Sequence, residues 1–467
     1  MQTTDNPQRF LKSIGRKEVI ALSFGAMIGW SWVLLTGEWL QRAGMLGTAI
    51  AFATGGLAVI LISLTYAELA SAMPKAGGEH VYTHRALGFT PSFITSWALV
   101  MAYITVCMFE SAALPTALEY LLPQIRLHYL YSVQGADVYA SLVAVGILGA
   151  VVMTAVNYVG IRFAAFVQTM VTTLFFLVGS AFLVGALGAA TPADQAPLFT
   201  RGVAGVLSVL VMVPSLMVGF DVIPQSAEEI NLPQRQIGRL IIVSVVLAVL
   251  WYIAITAAVG ITLPMGELTD QGMASADAMS AVWQSELAGA LMILAGVGGI
   301  LTSWNAFIIG GSRVLFALGE AGMIPAVFAK LHPRYRTPYV SIVFIGLLSC
   351  ISPFFGRTVL VWLVDAGSFM VVIAYGFVAL AFLALRRKEP ELPRPFKVAG
   401  GRLVGWAALV MSVAFGCLYL PFSPSALIWP YEWAVVLVGA GVGVCFYLVA
   451  VLKGYTPHQK KAKGAFF

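Results

Sequence analysis

The chain has 467 residues, of which 60% are hydrophobic and only 10% are charged. Soluble domains carry about 25% charged residues, so the composition excludes an ordinary soluble protein and predicts a polytopic membrane protein. The net charge of +6 would indicate a nucleic-acid partner only on a soluble basic domain. The stretches between the apolar segments are too short to form one.

Twelve apolar segments follow one another along the chain, and each is long enough to cross a bilayer. We therefore predict an all-α fold with twelve transmembrane helices. The segments lie at about residues 18–42, 46–72, 92–122, 137–158, 163–188, 203–226, 237–263, 285–318, 339–356, 359–385, 403–423 and 430–452.

The basic residues are distributed unevenly between the two sides of this topology. With the N-terminus on the inside, 23 of the 27 Lys and Arg residues fall on the inner side. The positive-inside rule then predicts that both termini are cytoplasmic and that the protein lies in the cytoplasmic (inner) membrane. The same asymmetry explains the basic charge by topology and lipid contact, without a nucleic-acid partner.

Two of the spans contain residues that interrupt a helix near the middle of the bilayer. In the first span these are Gly25, Gly29 and Ser31, and in the sixth they lie within residues 213–224. A break at this depth exposes backbone groups that hydrocarbon cannot satisfy, so it must face protein or a polar cavity. The two breaks are therefore predicted to form two halves of one binding site.

The spacing of the broken spans predicts how the chain is organised. They are five helices apart, so two units of five helices would have opposite orientations, as in an inverted repeat. We predict a first repeat at 18–200, a second at 201–388 and two further helices within 389–453. The cytoplasmic segments 1–17 and 454–467 flank them.

Several loop motifs resemble those of the amino acid–polyamine–organocation (APC) permeases. The run from Tyr66 to Tyr82 with Gly88 resembles the signature after the second helix, and Gly219-Phe-Asp221 with residues 227–233 resembles the signature of the sixth. Residues 312–325 and 394–397 resemble two later signatures. The resemblance implies a LeuT-type 5+5 inverted repeat and a secondary transporter of amino acids or amines.

The resemblance implies that the substrate lies at the first break, around Ile28 and Gly29. Relatives usually have Gly-Ser-Gly after these positions, whereas this chain has Trp30, Ser31 and Trp32. Backbone N–H groups at a helix start favour a carboxylate, and indole rings favour an ammonium. Alternatively, both tryptophans only pack against neighbouring helices.

The sixth span contributes Ser215, Gly219, Phe220 and Asp221 to the predicted substrate site. Ser215 aligns with a position where relatives place an aromatic gate, which leaves Phe220 as the aromatic residue beside the break. Asp221 would bind a substrate amine, since a carboxylate at this depth is expensive to bury. The alternative is that Asp221 caps the second half-helix through backbone N–H groups.

Glu110 is a carboxylate within the third span, with apolar residues on both sides. We expect it either to carry a proton or to bind a cationic substrate. A structural, hydrogen-bonded carboxylic acid is the alternative.

By the same resemblance, a sodium ion would be bound by the hydroxyls of Thr302 and Ser303 with the carbonyls of Gly25, Ile28 and Gly299. An oxygen-only ligand set suits a hard cation; alternatively, both hydroxyls bond back to their own helix. Several proton-coupled relatives place a helix-five lysine in this site. Register puts Phe175 there in this chain, which favours Na⁺ over H⁺ as the coupling ion.

We therefore predict a permease that moves an amino acid by alternating access, coupled to Na⁺. The alternative is an amine or polyamine transporter or exchanger, proton-coupled through Glu110. No enzymatic motif is present, and we expect neither a cofactor nor an obligate protein partner. Near the sixth span, Glu228, Glu229, Arg235 and Arg239 could form a gate, but we expect a solvated loop.

Overall fold

The computed structural model describes residues 10–189, 195–264, 266, 268, 273–423 and 426–453. The first nine residues of the predicted segment 1–17 and the predicted tail 454–467 lie outside these ranges. Nearly all regular structure in the described residues is α-helical. The predicted polytopic, mainly helical class is confirmed.

The first half of the chain contains the broken first span, four long helices and one short helix on the predicted cytoplasmic side. The helices are α1 (Arg16–Ile28), α2 (Ser31–Leu34), α3 (Thr36–Ala72), α4 (Gly78–Leu87), α5 (Phe89–Leu121), α6 (Ala140–Val159) and α7 (Ile161–Ala189).

The second half begins with a broken span and continues with longer helices. These are α8 (Gly202–Leu210), α9 (Val213–Leu216), α10 (Val222–Gln225), α11 (Gln234–Thr262), α12 (Ala274–Trp283), α13 (Glu286–Glu320), α14 (Tyr339–Ser349), α15 (Val359–Lys388), α16 (Gly401–Cys417) and α17 (Tyr431–Leu452). Short 3₁₀ helices in the described part of the chain lie at Pro123–Ile125, Ala227–Glu229, Ala326–Ala329 and Ser352–Phe355.

Within the described residues, eight helices are long and apolar enough to cross a membrane, and three shorter apolar stretches lie at Gly202–Leu216, Tyr339–Phe355 and Gly401–Cys417. Their ends differ from the predicted segments by a few residues. Large apolar side chains such as Leu148, Leu174, Leu187 and Leu448 are exposed on the outer helices. This surface suits contact with lipid chains rather than water.

Two local features were not predicted from the sequence. A two-stranded antiparallel hairpin, β1 (Tyr129–Val133) and β2 (Ala136–Tyr139), lies between α5 and α6. Its turn residues Gln134 and Gly135 both have positive φ, as hairpin turns require. The first two predicted spans also run together in α3, where Gly44 (φ 76°, ψ 178°) marks the junction.

The two broken spans meet near the centre of the molecule. Gly219 has a φ of +134°, and a Cβ atom there would lie 2.6 Å from the Cβ of Ala26 and 3.0 Å from the backbone N of Met27. Only glycine permits both this conformation and this approach. Helix α13 packs against α1, α5, α7 and α10 and so lies alongside both breaks.

A buried ion-pair cluster fixes the segment between α15 and α16 to the end of α3. Glu68 is fully buried and accepts bonds from Arg386 and from the backbone N–H of Val398, while Arg394 lies 3.0 Å from its carboxylate. The carboxylate is therefore surrounded by charged and backbone donors, as a buried charge requires.

We predict that Glu68→Gln lowers the free energy of unfolding by about 3–5 kcal/mol, because two guanidinium groups lose their buried carboxylate. Thermal unfolding of the purified protein in detergent measures this loss. Glu38→Gln is the control, because the Glu38–Arg42 pair is exposed and should contribute about 1 kcal/mol or less. Equal effects of the two substitutions would contradict a stabilising role of the ion-pair cluster around Glu68.

Candidate functional site

The first span breaks where the sequence predicts it, between α1 and α2. Gly29 has φ +47° and ψ −139°, a conformation that favours glycine. The Cα of Gly299 on α13 approaches this break so closely that a Cβ atom there would lie 1.7 Å from the Gly29 carbonyl oxygen. Glycine at 299 is therefore required for α13 to pack against the break.

The carbonyl groups released at the end of α1 are satisfied by Tyr252 on α11. Its hydroxyl lies 2.9 Å from the carbonyl oxygen of Met27 and 3.2 Å from that of Ile28. The Ser31 hydroxyl lies 2.8 Å from the Tyr252 hydroxyl and so completes the group. Tyr252 was not predicted from the sequence, where its local signal is a phenol within a long apolar span, whose hydroxyl needs a partner.

The two tryptophans of the break have different surroundings. Trp32 is fully buried and packs edge-on against Trp251 and close to Phe175, as the packing interpretation predicts, and its indole N–H has no hydrogen-bond partner among the described residues. Trp30 lies against Gly296 of α13, and its buried indole N–H has no hydrogen-bond partner among the described residues. Trp30 therefore retains a donor at the break.

Asp221 fixes the backbone of the second break. It accepts a 2.6 Å hydrogen bond from the Tyr103 hydroxyl and a 2.9 Å bond from the backbone N–H of Gly219. The alternative interpretation, in which Asp221 caps the following half-helix, is wrong, because its side chain makes no capping bond to α10. Asp221 instead stabilises the broken backbone at Gly219, two residues earlier in the chain.

The remaining residues predicted in the sixth span lie on different sides of the break. The Ser215 hydroxyl donates to the carbonyl of Met212 in its own helix. Phe220 is fully buried, with its ring centroid 5.3 Å from that of Tyr66 and 5.4 Å from that of Tyr375. Phe220 therefore packs in an aromatic triad with Tyr66 and Tyr375.

Glu110 on α5 is 2% exposed, and its Oε2 atom makes no hydrogen bond with the described residues. No Lys or Arg in the described ranges pairs with it. Its carboxylate faces the Ser303 hydroxyl and lies near Tyr252. The structure thus brings Glu110 to the side of the first break.

Three of the five predicted sodium ligands lie together. The Thr302 hydroxyl donates to the Gly25 carbonyl at 3.1 Å and to the Gly299 carbonyl at 3.0 Å. The bond back to Gly299 follows the helical alternative, and the bond to Gly25 joins α13 to α1. Ile28 and Ser303, the other two predicted ligands, contact Tyr252 and Glu110 instead.

This group of oxygens fits a sodium ion in the chemistry of its donors. The ligands brought together are two carbonyls and one hydroxyl. Hard cations prefer such oxygen ligands.

The fifth-span residues beside Gly25 differ from the predicted register. A Cβ on Gly25 would lie 2.6 Å from the Gln168 amide nitrogen and 2.8 Å from the Thr172 hydroxyl. Gln168 donates to the Ala21 carbonyl at 3.1 Å. Phe175 stacks on other aromatic rings further along α7. The part of α7 beside Gly25 is therefore polar and neutral. The prediction that Phe175 lies there is wrong.

A buried ion pair lies on the predicted cytoplasmic side. Arg313 on α13 forms two hydrogen bonds, of 2.9 and 3.0 Å, with Glu229, and both side chains are at most 2% exposed. The Phe10 ring packs over Arg313, and the backbone N–H of Ile14 donates to the Glu229 carbonyl. The expectation of a solvated loop is therefore wrong for Glu229, whose partner in α13 was not predicted.

The fold and the site define a class of membrane protein, with two interrupted helices that meet beside a buried oxygen group. Residues 14–452 match the family model described as amino acid permease. The chain belongs to this family and is an APC-superfamily permease.

The chain is 27% identical to the branched-chain amino acid permease BcaP of Bacillus subtilis, covering 89% of each chain. It is 24% identical to the methylthioribose transporter of the same organism, covering 90% of this chain and 89% of the relative. It is 25% identical to the mitochondrial cationic amino acid transporter 3 of Arabidopsis thaliana, with 84% and 66% covered. These relatives are transporters, and the protein is not an enzyme.

We predict that Tyr252→Phe destabilises the protein by about 1–3 kcal/mol, because the carbonyls at the end of α1 lose their buried donor. The measurement is the thermal unfolding midpoint in detergent. Tyr82→Phe is a matched control, since the buried Tyr82 hydroxyl has no hydrogen-bond partner in the described part of the chain. If Tyr82→Phe costs as much as Tyr252→Phe, the hydroxyl of Tyr252 does not support the break.

Proposed function

We propose that the protein is a secondary transporter that moves an amino acid across the cytoplasmic membrane by alternating access. The observation that carries this proposal is the meeting of the two breaks, where Gly219 touches Ala26 and Met27. A substrate bound there would contact both halves of the molecule, so its binding could change how they pack. Membership of the amino acid permease family supports the same class of substrate.

The substrate proposed is a zwitterionic amino acid. Trp30 offers a buried N–H donor at the break, and Asp221 is a carboxylate at the other break. A carboxylate and an amine on one substrate would match these two polar groups. Relatives described as branched-chain and cationic amino acid transporters support an amino acid, without selecting its side chain.

The described helices are consistent with twelve spans in two inverted units of five and a final pair. In this assignment the first span comprises α1, α2 and the start of α3, and the sixth comprises α8 to α10. The repeats at 18–200 and 201–388, the final pair within 389–453 and the cytoplasmic termini are part of the proposal. The two breaks then come from corresponding helices of opposite orientation.

We infer that the predicted cytoplasmic side is closed in this conformation. Glu229, Arg313 and the segment from Phe10 to Ile14 form a buried contact there. We assign this contact to the inner gate. Separating Glu229 from Arg313 must hydrate both charges, because breaking a buried pair otherwise costs several kcal/mol.

Sodium is the proposed coupling ion. Gly25, Gly299 and Thr302 would hold it, with Ile28 and Ser303 as further ligands. Sodium would supply positive charge between α1 and α13. Support comes from the oxygen-only group and from the neutral Gln168 and Thr172 beside Gly25. An amine or polyamine substrate, with proton coupling through Glu110, stays a prediction from the sequence.

We predict saturable counterflow of a labelled neutral or cationic amino acid in proteoliposomes that contain the purified protein. A ligand at about 100 times its dissociation constant should also stabilise the protein by about 2.7 kcal/mol, which thermal unfolding detects. Decarboxylated amine analogues are the control and should give neither effect. Counterflow of the amines without that of amino acids would contradict the proposed substrate class.

We predict that Thr302→Val abolishes the stimulation of transport by Na⁺ and the binding of radiolabelled sodium, because valine keeps the shape but removes a ligand oxygen. Thr302→Ser is the matched control, because it retains the hydroxyl, and should keep both. Sodium binding by Thr302→Val at the parent level would place the ion elsewhere. The binding readout does not depend on transport activity.

A further inference from the structure

Glu79, at the start of α4, is a fully buried carboxylate that neither the substrate site nor the sodium site uses. Gly78 beside it packs against Pro224, and Gly77 packs against Ala317. Glu79 therefore lies beside α10 and α13, on the predicted cytoplasmic side of the sixth-span break. Neither carboxylate oxygen of Glu79 makes a hydrogen bond with any described residue.

The groups that face Glu79 are phenols, among them Tyr82 on its own helix, and a second carboxylate. Tyr66 on α3 is the nearest hydroxyl, and Asp221 is the charged group that acts on Glu79. Tyr103 on α5 and Tyr375 on α15 also lie within electrostatic range of Glu79.

None of these neighbours supplies a positive charge. Tyr66, Tyr82, Tyr103 and Tyr375 carry neutral hydroxyls, and Asp221 is a second carboxylate. The nearest buried cation on α13, Arg313, is already bound in a bidentate pair by Glu229. On α4 itself, His80 bonds to Ser92 instead.

An ionised Glu79 would be unstable in these surroundings. The Tyr66 hydroxyl is the donor side chain nearest to the carboxylate, but no positive charge acts on it. A carboxylate buried without a counter-ion costs several kcal/mol, so it must bind a proton or a cation. A metal ion needs several converging oxygens, and no group of three or more His, Cys, Asp or Glu residues that could hold one occurs in the described residues. A proton needs only one oxygen.

We propose that Glu79 is a proton-binding site on the predicted cytoplasmic side of the sixth-span break, and that it is neutral while this side is closed. When the pathway opens, water reaches the carboxyl group, which releases its proton to that water. The group must regain one proton before the side closes again. Burial and the nearby Asp221 carboxylate raise the pKa of Glu79 well above its usual range, in agreement with this assignment.

The proposal predicts a specific dependence of stability on pH. The pKa of Glu79 is higher in the folded state than in the unfolded state. The fold therefore loses stability as the pH rises from the pKa of the unfolded state to that of the folded state. Glu79→Gln cannot ionise and lacks this loss. The unfolding temperature of Glu79→Gln minus that of the parent should therefore increase, by about 2 °C or more, between about pH 4.5 and pH 8.

The control for this measurement is Glu286→Gln, which changes an exposed carboxylate at the start of α13. Its unfolding temperature should follow that of the parent at every pH. Parallel curves for Glu79→Gln and the parent would overturn the proposal. A difference that decreases with rising pH would also overturn it, because it would mean that a bound cation stabilises the charged form.

Infrared spectroscopy tests the same group if Glu79→Gln does not fold. The parent should show the C=O band of a protonated carboxylic acid at neutral pH, and Glu79→Asp should shift this band. Its absence from the parent, or an unchanged band in Glu79→Asp, would overturn the proposal.

Transport provides a separate readout, which rests on the proposed function. Amino acid exchange by the parent, with equal pH on both sides, should slow as the pH rises, because closing requires protonation. Glu79→Gln should lose this dependence, and the parent profile in Glu79→Gln would overturn the proposal. If the parent exchanges no amino acid, the proposed function fails, while the stability and infrared measurements still decide the role of Glu79.

Discussion

The structure depends on how the backbone is satisfied where two membrane helices are interrupted. Hydrocarbon offers no partner to a free carbonyl or N–H group, so each break must obtain its partners from the protein. Tyr252 serves the carbonyls at the end of α1, and Asp221 serves the N–H of Gly219. Because Tyr103 in turn donates to Asp221, both breaks are held by neighbouring long helices.

Close packing at the breaks gives α13 a double role. Gly296 and Gly299 allow this helix to approach Trp30 and the Gly29 carbonyl. A turn further along, Thr302 donates to the carbonyl of Gly25. The helix that packs against the first break therefore also carries the hydroxyl of the proposed ion site, so a displacement of α1 must alter that site as well. This shared contact is a physical basis for coupling an ion to a conformational change.

The spans, the two breaks and the family could be predicted because their signals are local. A run of apolar residues predicts a span, and a glycine within it predicts a break, without any knowledge of contacts with distant residues. Tyr252 and Arg313 were missed as partners because their contacts join residues far apart in the sequence. The residue of the fifth span that lies beside Gly25 was predicted wrongly for a related reason. It is Thr172, one helical turn before the predicted Phe175. The short hairpin depends on a Gln-Gly turn, which is a weak local signal.

The buried carboxylates fall into two groups that differ in their partners. Glu68, Glu229 and Asp221 each accept hydrogen bonds from protein donors, so their charge is stabilised by the fold. Glu79 and Glu110 each leave at least one oxygen without a bond in the described structure. Burial penalises their charged forms, and water that enters from one side would remove this penalty. In the proposed alternating access, water reaches one side at a time, so Glu79 and Glu110 would respond to opening. Glu229 would do so only when its pair with Arg313 separates, and Glu68 and Asp221 would hold the neighbouring helices.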